Sequence, residues 1–316
     1  MSAALVAGPS STPSSSSENT DLVATTFKRL HPISYLSRFL DASIREDGRS
    51  LAAFRDATIT IGSISTADGS SFVRIGNTSC IAAIKAEVAT PQLSRPSEGY
   101  LIPNVELPAV CSSKFKAGAP GQEAQVLTSR LLALLNSSNV LDREQLCIQE
   151  ATAVWCLYLD ISFICFDGNA MDAAVLAAVA ALSNTKLPNA TYDHDTEQVR
   201  CSSTRQPLHL GDFPFASSFS IFENQHLLSD PTAFESALSS SHVTIAVSLD
   251  PSASSETTKA DPAVTFLQQS GRLSTSSSDR NQSATDQQNL QLCIERSSSR
   301  AMQLALLLRN AQKQAP

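Results

Sequence analysis

The densest run of ionisable side chains is Arg45-Glu46-Asp47-Gly48-Arg49, with Phe54-Arg55 just beyond it. Arg45, Asp47 and Arg49 have the look of an active site, and a contact with another subunit is a further reading. The Asp-Gly dipeptide at the centre is also a turn signal, so the simpler expectation is a structural turn closed by ion pairs. A second run, Lys114-Phe115-Lys116, sets two ammonium groups around one ring. That pattern suits the phosphates and bases of a single nucleic-acid strand, although a solvated loop with Phe115 packed inward would look the same in sequence. Arg74, within an alternating apolar stretch, is a further basic candidate. Lys114, Lys116 and Arg74 are therefore the candidate nucleic-acid contacts.

Other constellations are weaker. Asp160 and Asp167 flank a long apolar run, but an odd separation of seven places them on opposite faces of an extended strand. Asp167 precedes Gly168 and reads most simply as a turn residue. The five histidines (31, 194, 209, 226, 242) have no metal-ligand spacing, and Asp193-His194-Asp195 lies in a polar connector and reads as a solvated loop. Neither G-x-G-x-x-G nor G-x-x-x-x-G-K-[ST] occurs, and there is no G-x-S-x-G elbow. The seven cysteines include no C-x-x-C pair, and most lie in apolar runs, so buried free thiols in a reducing compartment are expected. The residues thus point to no catalytic, cofactor or metal site.

Periodicity predicts the elements that position these groups. Phe27, Leu30, Ile33, Leu36 and Leu40 are spaced for a helix face, with Pro32 suited to its first turn. Ala57–Ser65, Ser71–Ile75 and Cys80–Val88 alternate apolar and polar residues around Asp68-Gly69 and Gly76-Asn77, which predicts an antiparallel meander. Gly121–Leu135 reads as a helix, Val154–Phe166 as a buried central strand, and Met171–Leu182 as a helix apolar all round and hence buried. Asn184–Pro207 reads as a polar connector, followed by short strands at Ala216–Phe222, His226–Leu228 and Val243–Leu249. The polar stretch 250–286 reads as long, partly disordered loops around the apolar cluster Val264–Leu267. A helix from about Asn289 to Gln312 closes the chain, with Leu290, Ile294, Ala301, Leu304, Ala305 and Leu308 as its stripe. This order predicts an α+β fold with antiparallel sheets backed by helices.

Composition narrows the class. A 42% hydrophobic content over 316 residues is enough for a real core, while a net charge of −7 disfavours a free-standing nucleic-acid adaptor. The charge is uneven: residues 27–130 carry 12 basic against 9 acidic side chains, so a local contact fits the first half better. Ala3–Ala7 has no basic flank, and no run approaches the ~20 apolar residues of a membrane span. A soluble intracellular protein without membrane attachment is expected.

Three of these segments occur together in one family. The R-x-D-G-R run at 45–49, ISTADGSSFVRIGNT at 64–78 and PNVELPAVCSSKFKAGAPGQEAQV at 103–126, with Asp160–Asp172 and Leu228–Thr232, resemble the RNase PH-like subunits of the RNA exosome. The resemblance covers roughly residues 27–250 and, more loosely, the last helix. It implies the RNase PH-like fold with two β-α halves, a first at 27–200 and a second at 201–316; the Ser-rich stretch at 1–26, which its composition marks as a disordered tail, and the loops at 250–286 depart from the family. It also implies a hetero-hexameric ring of RNase PH-like subunits, RNA-binding cap subunits, an associated nuclease, single-stranded RNA in a central channel, and a place in nucleus, nucleolus and cytoplasm.

Active members of that family use phosphate to release nucleoside diphosphates from RNA 3′ ends. The resemblance asks for an Arg at the start of the helix beginning near Gly121, and for two Asp six residues apart just before the strand at Val243–Leu249. Carried onto this chain, those positions hold Pro120, Ser236 and His242. The implied role is therefore a non-catalytic ring subunit that supports RNA threading. The enzymatic alternative would use Glu235, one residue displaced, with Arg95 or Arg130.

Overall fold

The computed structural model describes residues 15–193, 195–223, 226–250, 263–271 and 282–314. They divide into two compact units, Met1–Leu51 and Ala52–Pro316.

In the first unit, α1 (Ser15–Leu30) is followed by α2 (Pro32–Asp41). Helix thus begins inside the Ser-rich segment that reads as a tail through residue 26, and residues 1–14 lie outside the described residues. One aromatic ring per turn organises the pair. Phe27 meets His31 at 5.7 Å and Tyr35 at 6.3 Å, Tyr35 meets Phe39 at 5.1 Å, and the Arg38 guanidinium sits 4.9 Å from the Phe27 ring. Leu36 and Leu40 are buried as their spacing predicts, but Leu30 and Ile33 are exposed, so the apolar stripe is narrower than expected. The Arg45–Arg49 run is a tight turn. Gly48 at φ +79° donates its N–H to the Arg45 carbonyl, and Arg49 Nε donates to Asp47 Oδ2 at 2.6 Å.

The second unit opens with the meander β1 (Ala57–Ile61), β2 (Gly69–Ile75) and β3 (Thr78–Ala89). All are antiparallel, with Ala57 opposite Ile75 and Gly69 opposite Ile84. Next come β4 (Tyr100–Glu106), α3 (Gln122–Ser137), β5 (Cys147–Gln149) and β6 (Ala153–Cys165). The first sheet runs β1-β2-β3-β6-β4, with β5 also on β6. β4 is parallel to β6 and pairs with nothing else among the described strands. Pro103 inside it hides it from a reading of periodicity, and is tolerated there because an edge strand needs no second partner. β6 is central, as expected, but Tyr158, Ile164 and Cys165 on it are exposed, so one face of its second half is open.

α4 (Ala170–Asn184) has every residue from Ala170 to Leu182 buried. It packs against β2 and β3 on one side and against β9 (Phe213–Phe222) of a second sheet on the other. A helix between two sheets has no solvent face, which is why its sequence is apolar all round.

Between α4 and β9 the segment read as a connector is a hairpin, β7 (Lys186–Asp193) with β8 (Gln198–Pro207). Both faces of β8 are exposed, so there is no apolar alternation to announce it, and backbone pairing alone defines it. The 200/201 boundary falls within β8. His194 lies outside the described residues, while Asp193 pairs with Arg200 at 2.9 Å.

The second sheet, β10-β9-β11-β12, adds β10 (His226–Ser229), β11 (Ser241–Leu249) and β12 (Ala263–Ser270), with the short helix α5 (Ala233–Leu238) before β11. The cluster Val264–Leu267, placed among loops by its polar surroundings, lies in β12, where Phe266 packs onto the core. The remainder of that stretch, 251–262 and 272–281, lies outside the described residues. α6 (Gln282–Gln314) starts seven residues earlier than the spacing predicts and buries Cys293, Ala301, Leu304, Leu308 and Ala311. Cys80, Cys111, Cys156 and Cys293 are buried free thiols, whereas Cys165 and Cys201 are exposed.

Gly168 is a tight joint between the layers, against backbone on its far side. Its φ is +74°, and a Cβ there would lie 2.5 Å from the Ala233 nitrogen and 2.6 Å from the Thr232 carbonyl carbon. Gly168→Val should therefore cost about 2 kcal/mol or more, combining backbone strain with overpacking. Urea unfolding of the two proteins side by side measures this, and equal midpoints would refute it.

Candidate functional site

Six side chains from different parts of the chain meet where β6 turns into α4. Arg55, just before β1, donates Nε to Asp230 Oδ2 (2.9 Å) and Nη2 to Asp230 Oδ1 (2.7 Å), and its backbone N–H adds a third bond to Oδ2 (2.9 Å). Its Nη1 donates to the Asp167 carbonyl at 2.8 Å. Asn169, at φ +51°, donates Nδ2 to both Asp172 (2.7 Å) and Asp230 (2.6 Å), and its Oδ1 is buried without a hydrogen-bond partner. Asp172 accepts from the Ser218 N–H (2.9 Å) and Oγ (2.8 Å) on β9. From α6, Arg300 Nη2 donates to the Arg55 carbonyl at 2.6 Å.

The two carboxylates are driven apart electrostatically. Burial pushes both up, but for Asp230 the hydrogen bonds and charge of Arg55 outweigh it, and its pKa falls to about 2. Asp172 has no cation in contact among the described residues; burial and the neighbouring Asp230 charge raise it to about 6 against the hydrogen bonds from Asn169 and Ser218.

Asn169 and Ser218 of this network, with Pro231 beside Asp230, line a cleft of about 420 Å³. Its walls bring together residues that are far apart in sequence: Lys114, Glu123 and Arg130 from the α3 side, Ser236 from α5, and His242 and Thr244 from β11. Of the described lining residues, Glu123 is the one carboxylate, and Lys114 Nζ is bonded to it at 2.5 Å. Burial lowers the pKa of His242, so its imidazole is neutral at pH 7. Pro120 lies in an adjoining groove with Lys116, at the start of α3, whose N-cap Gly121 offers no side-chain cap.

The sequence candidates separate in space. Lys114 and Lys116 share the groove along the β4–α3 loop, and Phe115 packs edge-on against Phe166 at 5.2 Å. Arg74 sits on β2 with its Nε bonded to the Gly76 carbonyl at 2.7 Å, and lines neither depression. Glu235 is buried as part of a capping box with Thr232 at the start of α5, and does not line the cleft. Arg95 pairs with Glu98 in a different pocket, whereas Arg130 does reach the cleft. Asp160 on β6 accepts a hydrogen bond from Asn104 Nδ2, whereas Asp167 lies beyond the end of β6, in the turn into α4. No group of three potential metal ligands occurs among the described residues. The Arg55–Asp230 pair was not singled out in the sequence as a unit, because 175 positions separate its members.

The model of the 3′ exoribonuclease family, domain 1 (RNase PH), matches residues 53–188. The exosome complex component rrp43 of Schizosaccharomyces pombe is 44% identical over 220 residues, covering 69% of this chain and 81% of the relative. The chain belongs to the RNase PH family. It is also similar to exosome complex component Rrp42 of Methanothermobacter thermautotrophicus, 38% identical over 203 residues, 64% of this chain and 74% of that one. Among solved structures, a chain described as the Archaeoglobus fulgidus exosome with RNA bound to the active site aligns with a TM-score of 0.70 and 26% identity, covering 90% of this chain and 98% of the other. The RNase PH-like fold and the expected resemblance are thereby established, with the family match spanning β1 to the start of β7.

The opposed pKa values give this RNase PH-family network a pH signature. Asp230, held below its ordinary value, contributes stability that is complete above about pH 4 and is lost as pH falls through about 2. Asp172, held above its ordinary value, favours the fold fully below about pH 4 and loses that contribution as pH rises through about 6. In urea melts from pH 2 to 7, subtracting Asp172→Asn from the parent should isolate a decline between about pH 4 and 6. A flat difference would refute the assignment. Asp230→Asn should cost about 3–5 kcal/mol at pH 7, because it leaves Arg55 buried and unpaired.

Proposed function

We propose that this chain is a non-catalytic subunit of the exosome core ring. In this reading it pairs with other RNase PH-like subunits in a hetero-hexamer. It helps to guide single-stranded RNA toward an associated nuclease for 3′–5′ processing and decay in nucleus, nucleolus and cytoplasm, with RNA-binding cap subunits above the ring. Relatives that are exosome components, and structural neighbours that are exosome cores, support the ring role.

The observation that carries the non-catalytic part is the charge of the cleft. Phosphorolysis brings phosphate against a polyanion and needs fixed positive charge together with carboxylates that handle metal or protons. Here Pro120 offers neither charge nor N–H, Ser236 and His242 are neutral at pH 7, and the single lining carboxylate is tied to Lys114. Arg130 alone is a charge of the required sign that lacks an ion-pair partner among the described residues. The purified chain, alone and with its RNase PH-like partner, should release no nucleoside diphosphate from RNA in phosphate buffer. Robust turnover lost in His242→Ala or Ser236→Ala would instead establish the phosphorolytic reading.

For RNA guidance, Lys116 is the free contact and Lys114 the latent one, with Arg74 a secondary contact on β2. Lys116→Ala in the assembled ring should weaken single-stranded RNA binding and lower the salt slope by about 0.7. Glu123→Gln, which releases Lys114, should strengthen binding. Filter binding across a salt series reads both effects, and unchanged slopes would remove these residues from the RNA path.

A further inference from the structure

Away from the cleft, α6 presents Arg296, Ser299, Arg300 and Gln303 at spacings of three and four residues, which places them on one helix face. With Ala52, Ala53 and Phe54 they enclose a concavity of about 330 Å³. Arg300 is 9% exposed, and its ring neighbour Phe54 lies 5.2 Å from the guanidinium.

Neither guanidinium has a carboxylate partner among the described residues. Arg300 donates only to neutral oxygens, the Arg55 carbonyl and Gln303 Oε1 (3.4 Å), and Arg296 donates to Ser229 Oγ (3.2 Å). The nearest buried acids are already engaged, Asp230 with Arg55 and Asn169, and Asp172 with Asn169 and Ser218. Asp56, exposed at the rim, is the one acidic side chain in the lining and forms no ion pair with either arginine. The carboxylates of Asp230, Asp172 and Asp56 act on the nearly buried Arg300 only from a distance, so neither guanidinium has a charged group in direct contact among the described residues.

We propose that this pocket on α6 is a binding site for a small phosphate-class oxyanion, either inorganic phosphate or the phosphate of a mononucleotide. The guanidinium forks of Arg296 and Arg300 match such an oxyanion, and Ser299 Oγ and the Gln303 amide add neutral donors. Burial holds Arg300 below its ordinary pKa, a tendency that a bound anion would oppose. The pocket holds a phosphate but no base platform, since Arg300 already covers the Phe54 ring. That favours a small anion over a nucleic-acid strand. The site is independent of the ring role, and either reading can fail without the other.

Thermal unfolding and titration calorimetry of the full chain test it, with sodium phosphate, a 5′-mononucleotide, and chloride at matched ionic strength. A saturable phosphate effect beyond chloride is expected, weakened about tenfold or more in Arg296→Gln. Ser299→Ala should weaken it by a smaller factor, and these two variants carry the test because Arg300 also holds the Arg55 backbone. Arg130→Gln in the cleft should leave it unchanged. Tighter mononucleotide binding would name the nucleotide as the source, and equal affinities would name free phosphate. Three results overturn the proposal: no effect beyond chloride, loss in Arg130→Gln with retention in Arg296→Gln, or displacement by a short single-stranded RNA that binds more tightly than either small ligand.

Discussion

Arg55 and Asp230 close the Ala52–Pro316 unit upon itself. The guanidinium enters from the segment before β1 and the carboxylate from the loop after β10, and three hydrogen bonds join them in a site where both are nearly excluded from water. Isolated burial of either charge would cost several kcal/mol, so each is tolerable only because the other is present. The pair therefore specifies how the β1 end of the first sheet and the β10 end of the second approach one another. Asn169, Ser218 and Arg300 are arranged around that contact, each bonding an oxygen or a donor that the pair leaves over, and Asp172 is held behind them by Asn169 and Ser218.

Packing makes the same connection by different means. α4 lies between the sheets and is built largely of alanine, which lets strands approach from both sides. Gly168 lets the turn into α4 touch the Thr232–Ala233 backbone, where any side chain would force the layers apart. The cleft is a consequence of these joints. Asn169 and Ser218, which bond to the buried acids, line one side of it, and its other walls are whatever α3, α5 and β11 present once the layers are fixed.

What those walls present is a cleft with little fixed charge. The family fold is retained, together with a buried polar network beside the cleft, while the polar groups facing the cavity include a serine, a neutral imidazole, Arg130 and an internally paired Lys114–Glu123, with Pro120 in the adjoining groove. The positive charge that remains open lies on Lys116, on Arg130 and, on a separate surface, on the α6 arginines.

The sequence by itself determined the elements whose burial is one-sided or complete: the meander around Asp68-Gly69 and Gly76-Asn77, the all-apolar α4, and the stripe of α6. Each writes its surroundings into a local period. It also determined the family, through R-x-D-G-R and the segments that follow, and the identities of Pro120, Ser236 and His242. Only the tertiary structure decided that Ser236, His242, Glu123 and Arg130 share one cleft, that Lys114 is spent on Glu123, and that Arg55 belongs to Asp230. It also supplied β4, hidden by Pro103, and the β7–β8 hairpin, whose exposed faces leave no apolar pattern. The reason is common to all of these. Local sequence records how a residue meets solvent, whereas ion pairs and edge strands are defined by partners brought from far along the chain.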